Sequence, residues 1–281
     1  MLRPSEGEVL SAVQASGYLM EQEVASAIEG LGFNVQTNRA FTDLEQDKSR
    51  EIDVWAIRRF HQDEVNKISV FVELLCECKN NANPFVFLLR PKGAIDERTE
   101  SQEWQFPISR YQVPIPETAN AYKSVTAAEH LRLREHHYRF QSPLKAVQFA
   151  KILREKNSWV ATHAGLYDAI FFPLVKALLA RREEVRPKSG DWRYVWLFFP
   201  LVVTSGELYV IDTSASAMQA RPVESVSFTR HIKNSKIDGH FSVDFVTQST
   251  LDSFWSKCCQ PFVAHVVDLV ATKPELFKKR S

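Results

Sequence analysis

The sequence predicts a mixed α/β fold in which helices flank one central β-sheet. An apolar repeat of helical period over residues 18–31 predicts an amphipathic helix. Three apolar segments follow at 33–37, 52–57 and 68–79, and their β-branched and aromatic residues predict strands. Further β segments occur late in the chain with no linker before them. We therefore expect one elaborated domain over residues 1–281.

The two N-terminal helices are predicted by their end signals. Ser5 and Glu8 have the spacing of a capping box, and Ser16-Gly17 interrupts the pattern, so a first helix is expected over about residues 5–15. Gly32 ends the second helix. The apolar stripe of that helix consists of Met20, Val24, Ile28 and Leu31.

The middle of the chain is less regular. Residues 60–67 are polar and predict a hairpin turn, and a loop at 80–84 precedes a short strand at 84–89. Residues 90–126 have no clear period and predict a long insertion that carries the prolines Pro91, Pro107, Pro114 and Pro116. Helices are then expected at three places: residues 127–140, 143–156 and 163–182, the last with a bend near Pro173.

The last third of the chain predicts strands and one helix. Residues 194–203 and 207–211, joined by a turn at 204–206, predict a hairpin. Strands are expected at 223–229 and 241–246, and a helix at 250–271. The expected domain thus divides into three parts: a core at 18–89, an insertion with helices at 90–190, and additional strands with a C-terminal helix at 191–275.

Composition limits the partners that the chain can have. Its 35 basic and 34 acidic residues give a net charge of +1, so a nucleic-acid contact would have to come from local basic patches. No apolar run reaches the roughly 18–20 residues of a membrane span, and we expect no secretory signal, because acidic residues follow closely after Met1 to Pro4. We therefore expect a cytoplasmic protein with no membrane contact.

Two groups of basic residues are candidate contacts to a phosphate backbone, although an ordinary solvated surface explains them equally well. The first group is a predicted helix face with Arg132, Arg134 and Arg139. The second group is Arg181, Arg182, Arg186, Lys188 and Arg193.

Other motifs are absent or weak. The cysteines do not have a common zinc spacing, and we expect the first two to be small apolar packing residues: Cys76, Cys78, Cys258 and Cys259. No matching acid or cysteine accompanies His130, His136 and His137. The sequence contains neither a phosphate-binding loop of the G-x-x-x-x-G-K-[ST] type nor a nucleophile elbow.

The chemistry-bearing residues are concentrated at the end of the third predicted strand. The apolar run from Val70 ends in Glu77-Cys78-Lys79. Side chains alternate along a strand, so Glu77 and Lys79 share a face and Cys78 points away. If the second and third strands are neighbours, Asp53 joins them. Buried carboxylates and ammonium groups need partners or a metal ion, so this set suits Mg²⁺-dependent phosphodiester hydrolysis.

The order of these residues resembles the PD-(D/E)xK, or restriction-endonuclease-like, nuclease superfamily. The resemblance covers residues 18–89, about a quarter of the chain. In the family pattern Asp53 corresponds to the metal-binding acid, Glu77 to the second acid and Lys79 to the lysine. The family's name-giving proline is replaced by Ile52 here, which weakens the motif without removing a ligand.

A helix acid often completes the site in that family. Glu21 fits this role better than Glu23, because Glu21 lies over Ala25 and Ile28 at the edge of the buried helix face. The resemblance then implies a Mg²⁺ site, in which Mn²⁺ substitutes, formed by Asp53, Glu77, Glu21 and the backbone carbonyl of Cys78. Lys79 would orient the attacking water and stabilise the transition state.

The resemblance implies a DNA endonuclease in defence or DNA repair, aided by a homodimer partner or a co-encoded targeting protein. Alternatives remain open at this point. A Glu-x-Lys on a strand also arises by chance as a cross-strand ion pair. The fold can serve a non-catalytic nucleic-acid-binding or assembly protein, or an RNA-directed nuclease. Glu73, on the face of Glu77, is either a structural acid or a supporting residue of the site.

Overall fold

The end signals at the N-terminus form the two helices that they predict. In α1 (Glu6–Ser16) the Ser5 and Glu8 side chains make the capping box, and the helix ends at Gly17 with the left-handed φ of 89°. Helix α2 (Tyr18–Gly30) follows at once and buries its apolar stripe. The structure, a computed structural model, describes residues 3–96, 102–116, 120–186 and 190–278.

The described residues form fourteen strands. In chain order they are β1 (Asn34–Asp43), β2 (Lys48–Asp63), β3 (Ile68–Lys79), β4 (Phe85–Pro91), β5 (Trp104–Gln105), β6 (Arg110–Pro114), β7 (Tyr122–Thr126), β8 (Leu144–Glu155), β9 (Ser158–Thr162), β10 (Arg193–Thr204), β11 (Leu208–Asp212), β12 (Ala220–Val223), β13 (Ser225–Lys233) and β14 (Asp238–Thr247).

The later helices are mostly short. They are α3 (Ala127–His130), α4 (Tyr138–Gln141), α5 (Phe172–Glu184), α6 (Leu251–Phe254) and α7 (Gln260–Thr272). A π-helical turn lies directly before α5 and another directly before α7, at Tyr167–Phe171 and Trp255–Cys259. Single 3₁₀ turns occur at Leu133–His136, Gln248–Thr250 and Pro274–Phe277.

One mixed sheet organises the fold. Its strand order is β1-β2-β3-β10-β14-β13-β8-β4-β11-β12, with β5 added beside β10 and β9 beside β8, while β6 and β7 form a separate hairpin. Strands β1, β2 and β3 are an antiparallel meander, whereas β10 runs parallel to both β3 and β14. Helices α2, α6 and α7 pack on one face and α5 on the other. The predicted mixed α/β fold with a helix-flanked sheet is therefore confirmed.

The third predicted strand has the predicted bounds, but the second is longer. Residues 60–63, expected in the turn, continue β2, which pairs with β3 down to Asp63 opposite Ile68. The insertion expected over residues 90–126 contains β5 and the β6–β7 hairpin. Burial on both faces of β3 explains why its apolar run was easy to recognise.

The helix predicted over residues 143–156 is wrong. This segment is β8, which pairs antiparallel with β4 and β9 and touches β13. Phe149 stacks on Phe87 with their ring centroids 5.5 Å apart, so cross-strand packing stabilises the extended chain. Two of the pairing partners, β4 and β13, are distant in sequence, and the pairing overrides the local helical pattern.

The hairpin predicted over residues 194–211 is also wrong. Strand β10 lies between β3 and β14, and β11 pairs instead with β4 and β12. Every residue from Leu197 to Thr204 is buried, as is typical of a central strand covered on both faces. Gly206 then packs closely on the loop after β3, where a Cβ would lie 2.3 Å from the Asn81 carbonyl oxygen.

Two further predicted helices differ from the structure. The helix expected over 127–140 is broken into α3, a 3₁₀ turn and α4, because Arg132 has a left-handed φ of 55° and His137 is extended. The helix expected from residue 163 begins with the π-helical turn and continues as α5, with Pro173 in its first turn. The helix expected at 250–271 forms as α6, a π-helical turn and α7.

Candidate active site

The candidate site lies where β2 and β3 separate. The last pair of their ladder is Val54 opposite Cys76, and the next residue outward is Asp53 on β2 and Glu77 on β3. Trp55 and Leu75, the next pair inward, both pack in the core beneath α5. Because side chains alternate along each strand, Asp53 and Glu77 project on this same face.

A side-chain hydrogen bond replaces the ladder beyond this point. The Cys78 amide donates to the Asp53 Oδ2 at 2.7 Å. The N–H and C=O of one strand residue point toward the same neighbouring strand. The Cys78 carbonyl therefore also faces the Asp53 side, where β2 no longer pairs with β3. This end of the ladder, which we call the β2–β3 fork, thus brings together Asp53, Glu77 and the Cys78 carbonyl oxygen, which the sequence pattern singles out.

Lys79 completes the arrangement on β3. Its Nζ donates to the Glu77 Oε2 at 2.8 Å. Glu77 is only 5% exposed, since β3 is covered by β10, whose Val202 and Thr204 lie beside Glu77 and Lys79 and are fully buried. The structure therefore holds an acid and a lysine in contact at the carboxyl end of β3, a central strand of the mixed sheet.

Burial sets the electrostatics of these groups. It raises the pKa of Glu77 to about 7 against the opposing charge of Lys79, and the nearby Asp53 and Glu21 add to the rise. The pKa of Asp53 is also raised, because burial outweighs the Cys78 hydrogen bond and the charge of Lys79. Burial alone would lower the pKa of Lys79, but the Glu77 carboxylate raises it. The lysine is thus held as an ammonium ion beside two acids that resist ionisation.

The two candidate helix acids occupy different places. Glu21 is half-buried at the cleft, and its pKa is raised first by burial and then by the negative charge of Asp53. Glu23 is exposed and accepts a hydrogen bond from the Gln248 Nε2 at 2.7 Å. The structure therefore brings Glu21, and not Glu23, to the acids of the β2–β3 fork.

A cleft of about 290 Å³ opens beside this cluster. Glu21, Cys78 and Lys79 line one side, and the π-helical turn before α5 lines another. Lys151 of β8 also lines the cleft. The sequence pattern does not single out this residue, because residues 143–156 predict a helix, although Val147 and Phe149 alternate with polar or small residues as in a strand.

The residues fit a hard, partly hydrated cation. Among the described residues no three Asp, Glu, His or Cys side chains converge as they would around a metal held by side chains alone. Mg²⁺ does not require such a set, because it commonly keeps several waters and takes one or two carboxylates. Asp53, Glu77 and the Cys78 carbonyl supply oxygen ligands of this kind, with Glu21 close by. The raised acid pKa values also indicate that negative charge at the fork lacks full compensation.

Glu73 has a structural role, which resolves the alternative left open above. It is fully buried and accepts hydrogen bonds from the Trp55 Nε1 at 2.8 Å and from the Arg181 Nε at 2.9 Å. Arg181 belongs to α5, so this contact joins the helix to β3.

Several predicted phosphate contacts are instead occupied inside the protein. Arg181 pairs with Glu73, and Arg139 is 7% exposed and pairs with the buried Asp244 at 2.7 Å. Arg182 donates to main-chain carbonyls, among them that of Trp104. Arg132 pairs with the neighbouring Glu135, Arg186 pairs with Glu183, and Arg193 donates to the Asp191 carbonyl. Arg134 lies over the Phe140 ring. Lys188 lies outside the described residues.

The three histidines do not converge. His137 is buried beside Phe262, and burial lowers its pKa well below the usual range. His136 stacks on His265, and His130 on Tyr111. All four cysteines are free; Cys76 is buried in the core as expected, and Cys78 is partly buried.

A larger concavity lies elsewhere on the protein. A groove of about 1250 Å³ runs over the outer face of β4, β8, β9 and β11. Among its described lining residues Glu207 is the only carboxylate, and the groove contains none of the residues of the β2–β3 fork. We therefore place the candidate chemistry at the β2–β3 fork and the smaller cleft beside it, where Asp53, Glu77 and Glu21 have raised pKa values and lie close to Lys79.

Comparison with protein-family models, with curated proteins and with solved structures gives no match for this chain. Within the residues that the structure describes, no helix combines the length and apolar character needed to cross a bilayer. The functional interpretation accordingly depends on the chemistry of the site itself.

Proposed function

We propose that this protein is a metal-dependent nuclease with a restriction-endonuclease-like core, acting on DNA as an endonuclease. The observation that carries the proposal is that Asp53, Glu77 and Lys79 lie together at the β2–β3 fork with Glu21 close by, in the order that the sequence motif requires. A chance ion pair between Glu77 and Lys79 would not account for Asp53 or for the helix acid.

In this proposal Asp53, Glu77 and the Cys78 carbonyl would hold Mg²⁺, and Glu21 would contribute directly or through a water molecule. When bound, the ion supplies charge neutralisation at the scissile phosphate and a water of lowered pKa. The chain's own contribution is a fixed set of oxygen ligands, because Asp53 is oriented by its hydrogen bond to the Cys78 amide.

Lys79 acts on the phosphate and the water. Its ammonium group, kept charged by Glu77, can donate hydrogen bonds to the attacking water and to a nonbridging phosphate oxygen. Such donors stabilise the extra negative charge of the pentavalent transition state more than that of the ground state. A non-catalytic descendant of such a fold would be expected to have lost one of these residues, whereas all are present.

Plasmid and linear DNA incubated with the protein and Mg²⁺ should be cut, and EDTA should abolish cutting. Asp53→Asn and Lys79→Ala should each lower the rate by about 10²-fold or more, as when a transition-state contact is removed. Glu21→Gln should also slow cutting. Glu23→Gln is its matched control and should cut like the wild type, because Glu23 binds Gln248 away from the fork.

Equal cutting by the wild type and Lys79→Ala would assign the activity to a contaminant or another site. If DNA remains intact with Mg²⁺ or Mn²⁺, with the protein alone, as a homodimer or with a co-encoded partner, a non-catalytic binding protein becomes the better account. Cutting of RNA alone would redirect the proposal to an RNA-directed nuclease. The biological setting that the proposal implies is defence against foreign DNA or DNA repair.

A further inference from the structure

The described lysines that are buried or half-buried differ in whether the ammonium group has a polar partner. Of the described lysines, seven are buried or half-buried. Six of them have a polar partner: Lys67 with Glu64, Lys79 with Glu77, Lys92 with the Arg139 carbonyl, Lys145 with Asp96, Lys176 with Asp43 and Lys278 with Asn66. In the part of the chain that the structure describes, the seventh, Lys151, makes no ion pair or hydrogen bond through its ammonium group.

Lys151 is held at the cleft by the second half of the sheet. It lies on β8 directly opposite Phe85 of β4, and Phe85 and Phe149 beside it are core residues. The alkyl stem of Lys151 therefore leaves the core at the point where the cleft begins. The same cleft is lined by Glu21 and Lys79.

Lys151 is partly buried as a residue, and its ammonium group reaches the cleft without a described counter-ion, so an anion that enters the cleft would supply the opposite charge. Glu77 already neutralises Lys79, whereas no described carboxylate neutralises Lys151. An incoming anion would therefore be attracted first to the Lys151 side of the cleft. A phosphodiester has the required charge and acceptor oxygens.

We propose that Lys151 binds a phosphate of the DNA strand that is cut at the β2–β3 fork, next to the scissile phosphate. The proposal rests on the nuclease function above and adds a positioning residue from the elaboration to the core site. Lys151 would fix the register of the strand, while Asp53, Glu77 and Lys79 act on the reacting atoms.

The first test measures binding of a fluorescently labelled DNA duplex in Ca²⁺ over a range of salt concentrations. Removing one phosphate contact should weaken binding several-fold and reduce the slope of log K against log salt by about one. Lys151→Gln, which keeps much of the side-chain length, should show both effects. Lys151→Arg should retain the wild-type slope, and Lys257→Gln, at an exposed lysine, should match the wild type.

The second test identifies the phosphate. A series of duplexes is made, each with one neutral methylphosphonate in place of a phosphate, at successive positions around the cut. The affinity of the wild type and of Lys151→Gln is measured for every duplex. At one position the methylphosphonate should lower the affinity of the wild type relative to the unmodified duplex. The same methylphosphonate should not lower the affinity of Lys151→Gln, because the variant already lacks that phosphate contact. If Lys151 only supports the fold, every methylphosphonate will lower the affinity of Lys151→Gln by the same factor as that of the wild type.

The outcomes separate the two proposals. If the wild type cuts DNA and Lys151→Gln keeps the wild-type salt slope, the Lys151 assignment is overturned and the nuclease stands. If the wild type neither binds nor cuts DNA, both are overturned. Should Lys151→Gln fail to fold, as judged by circular dichroism, Lys151→Met provides the same comparison of charge.

Discussion

At the residue scale, Glu77 experiences opposing effects. Burial at the end of β3 disfavours its charge and raises its pKa to about 7, although Lys79 donates to it at 2.8 Å. Asp53 and Glu21 add repulsion. A site built for a cation would have this property, since the acids are poorly compensated until the cation arrives.

This electrostatic cost predicts a pH-dependent gain in stability for Glu77→Gln without metal. The pKa of Glu77 rises from 4.5 to about 7 on folding, so the folded state binds the extra proton between these values. The loss of stability from ionised Glu77 is absent below pH 4.5, grows as the pH rises and is complete above pH 7. Urea unfolding in EDTA at pH 8 should find the variant more stable by roughly 1–3 kcal/mol, while at pH 4.5 the two proteins should be similar.

Saturating Mg²⁺ should reverse the order at pH 8, because a ligand that binds only the folded wild type stabilises it. A stability difference between Glu77→Gln and the wild type that does not change with pH would contradict the electrostatic account of the fork.

At the element scale, a buried ion pair fixes α5 on the sheet. Glu73 of β3 is fully buried, and Arg181 of α5 donates to it through two nitrogens while Trp55 donates a third hydrogen bond. The π-helical turn that lines the cleft leads directly into this helix. The contact therefore positions the α5 wall of the candidate site.

Arg181→Ala should lower the free energy of unfolding by about 3–5 kcal/mol, because it leaves Glu73 buried without its counter-ion. Arg186→Ala is the matched control: Arg186 pairs with Glu183 at the surface, so its loss should change stability by less than about 1 kcal/mol. Denaturant unfolding measures both. Similar effects of the two substitutions would show that the Glu73 contact is not an anchor.

Local patterns were sufficient for some elements and insufficient for others. Strand β3 was predicted with its observed bounds because it is apolar on both faces, and its last residues carried the site motif. The segment of strand β8 predicts a helix instead, because two of the strand's three partners, β4 and β13, are far away in sequence. The same limit applies to Arg139 and Arg181, whose buried partners Asp244 and Glu73 are 105 and 108 residues away. Such pairs are set by the sheet order, which a single sequence does not specify.

At the scale of the whole molecule, both halves of the chain share the sheet around the cleft. The β2–β3 fork supplies the acids and Lys79, while the later chain supplies β10 beside β3, the α5 wall and β8 with Lys151. The carboxyl ends of the parallel strands β3 and β10 lie at this edge, a common place for ligands in α/β sheets. The elaboration thus completes the cleft that the proposed core motif begins.

The central claim is that Asp53 and Glu77 form one metal site, and a crystal soaked in Mn²⁺ tests it most directly. Anomalous scattering would locate the ion without reference to activity. The account predicts a Mn²⁺ peak between the Asp53 and Glu77 carboxylates, with the Cys78 carbonyl among its ligands, and no peak there in Asp53→Asn. The account would be contradicted if a crystal soaked in saturating Mn²⁺ showed no peak at this position and Lys79 remained paired with Glu77.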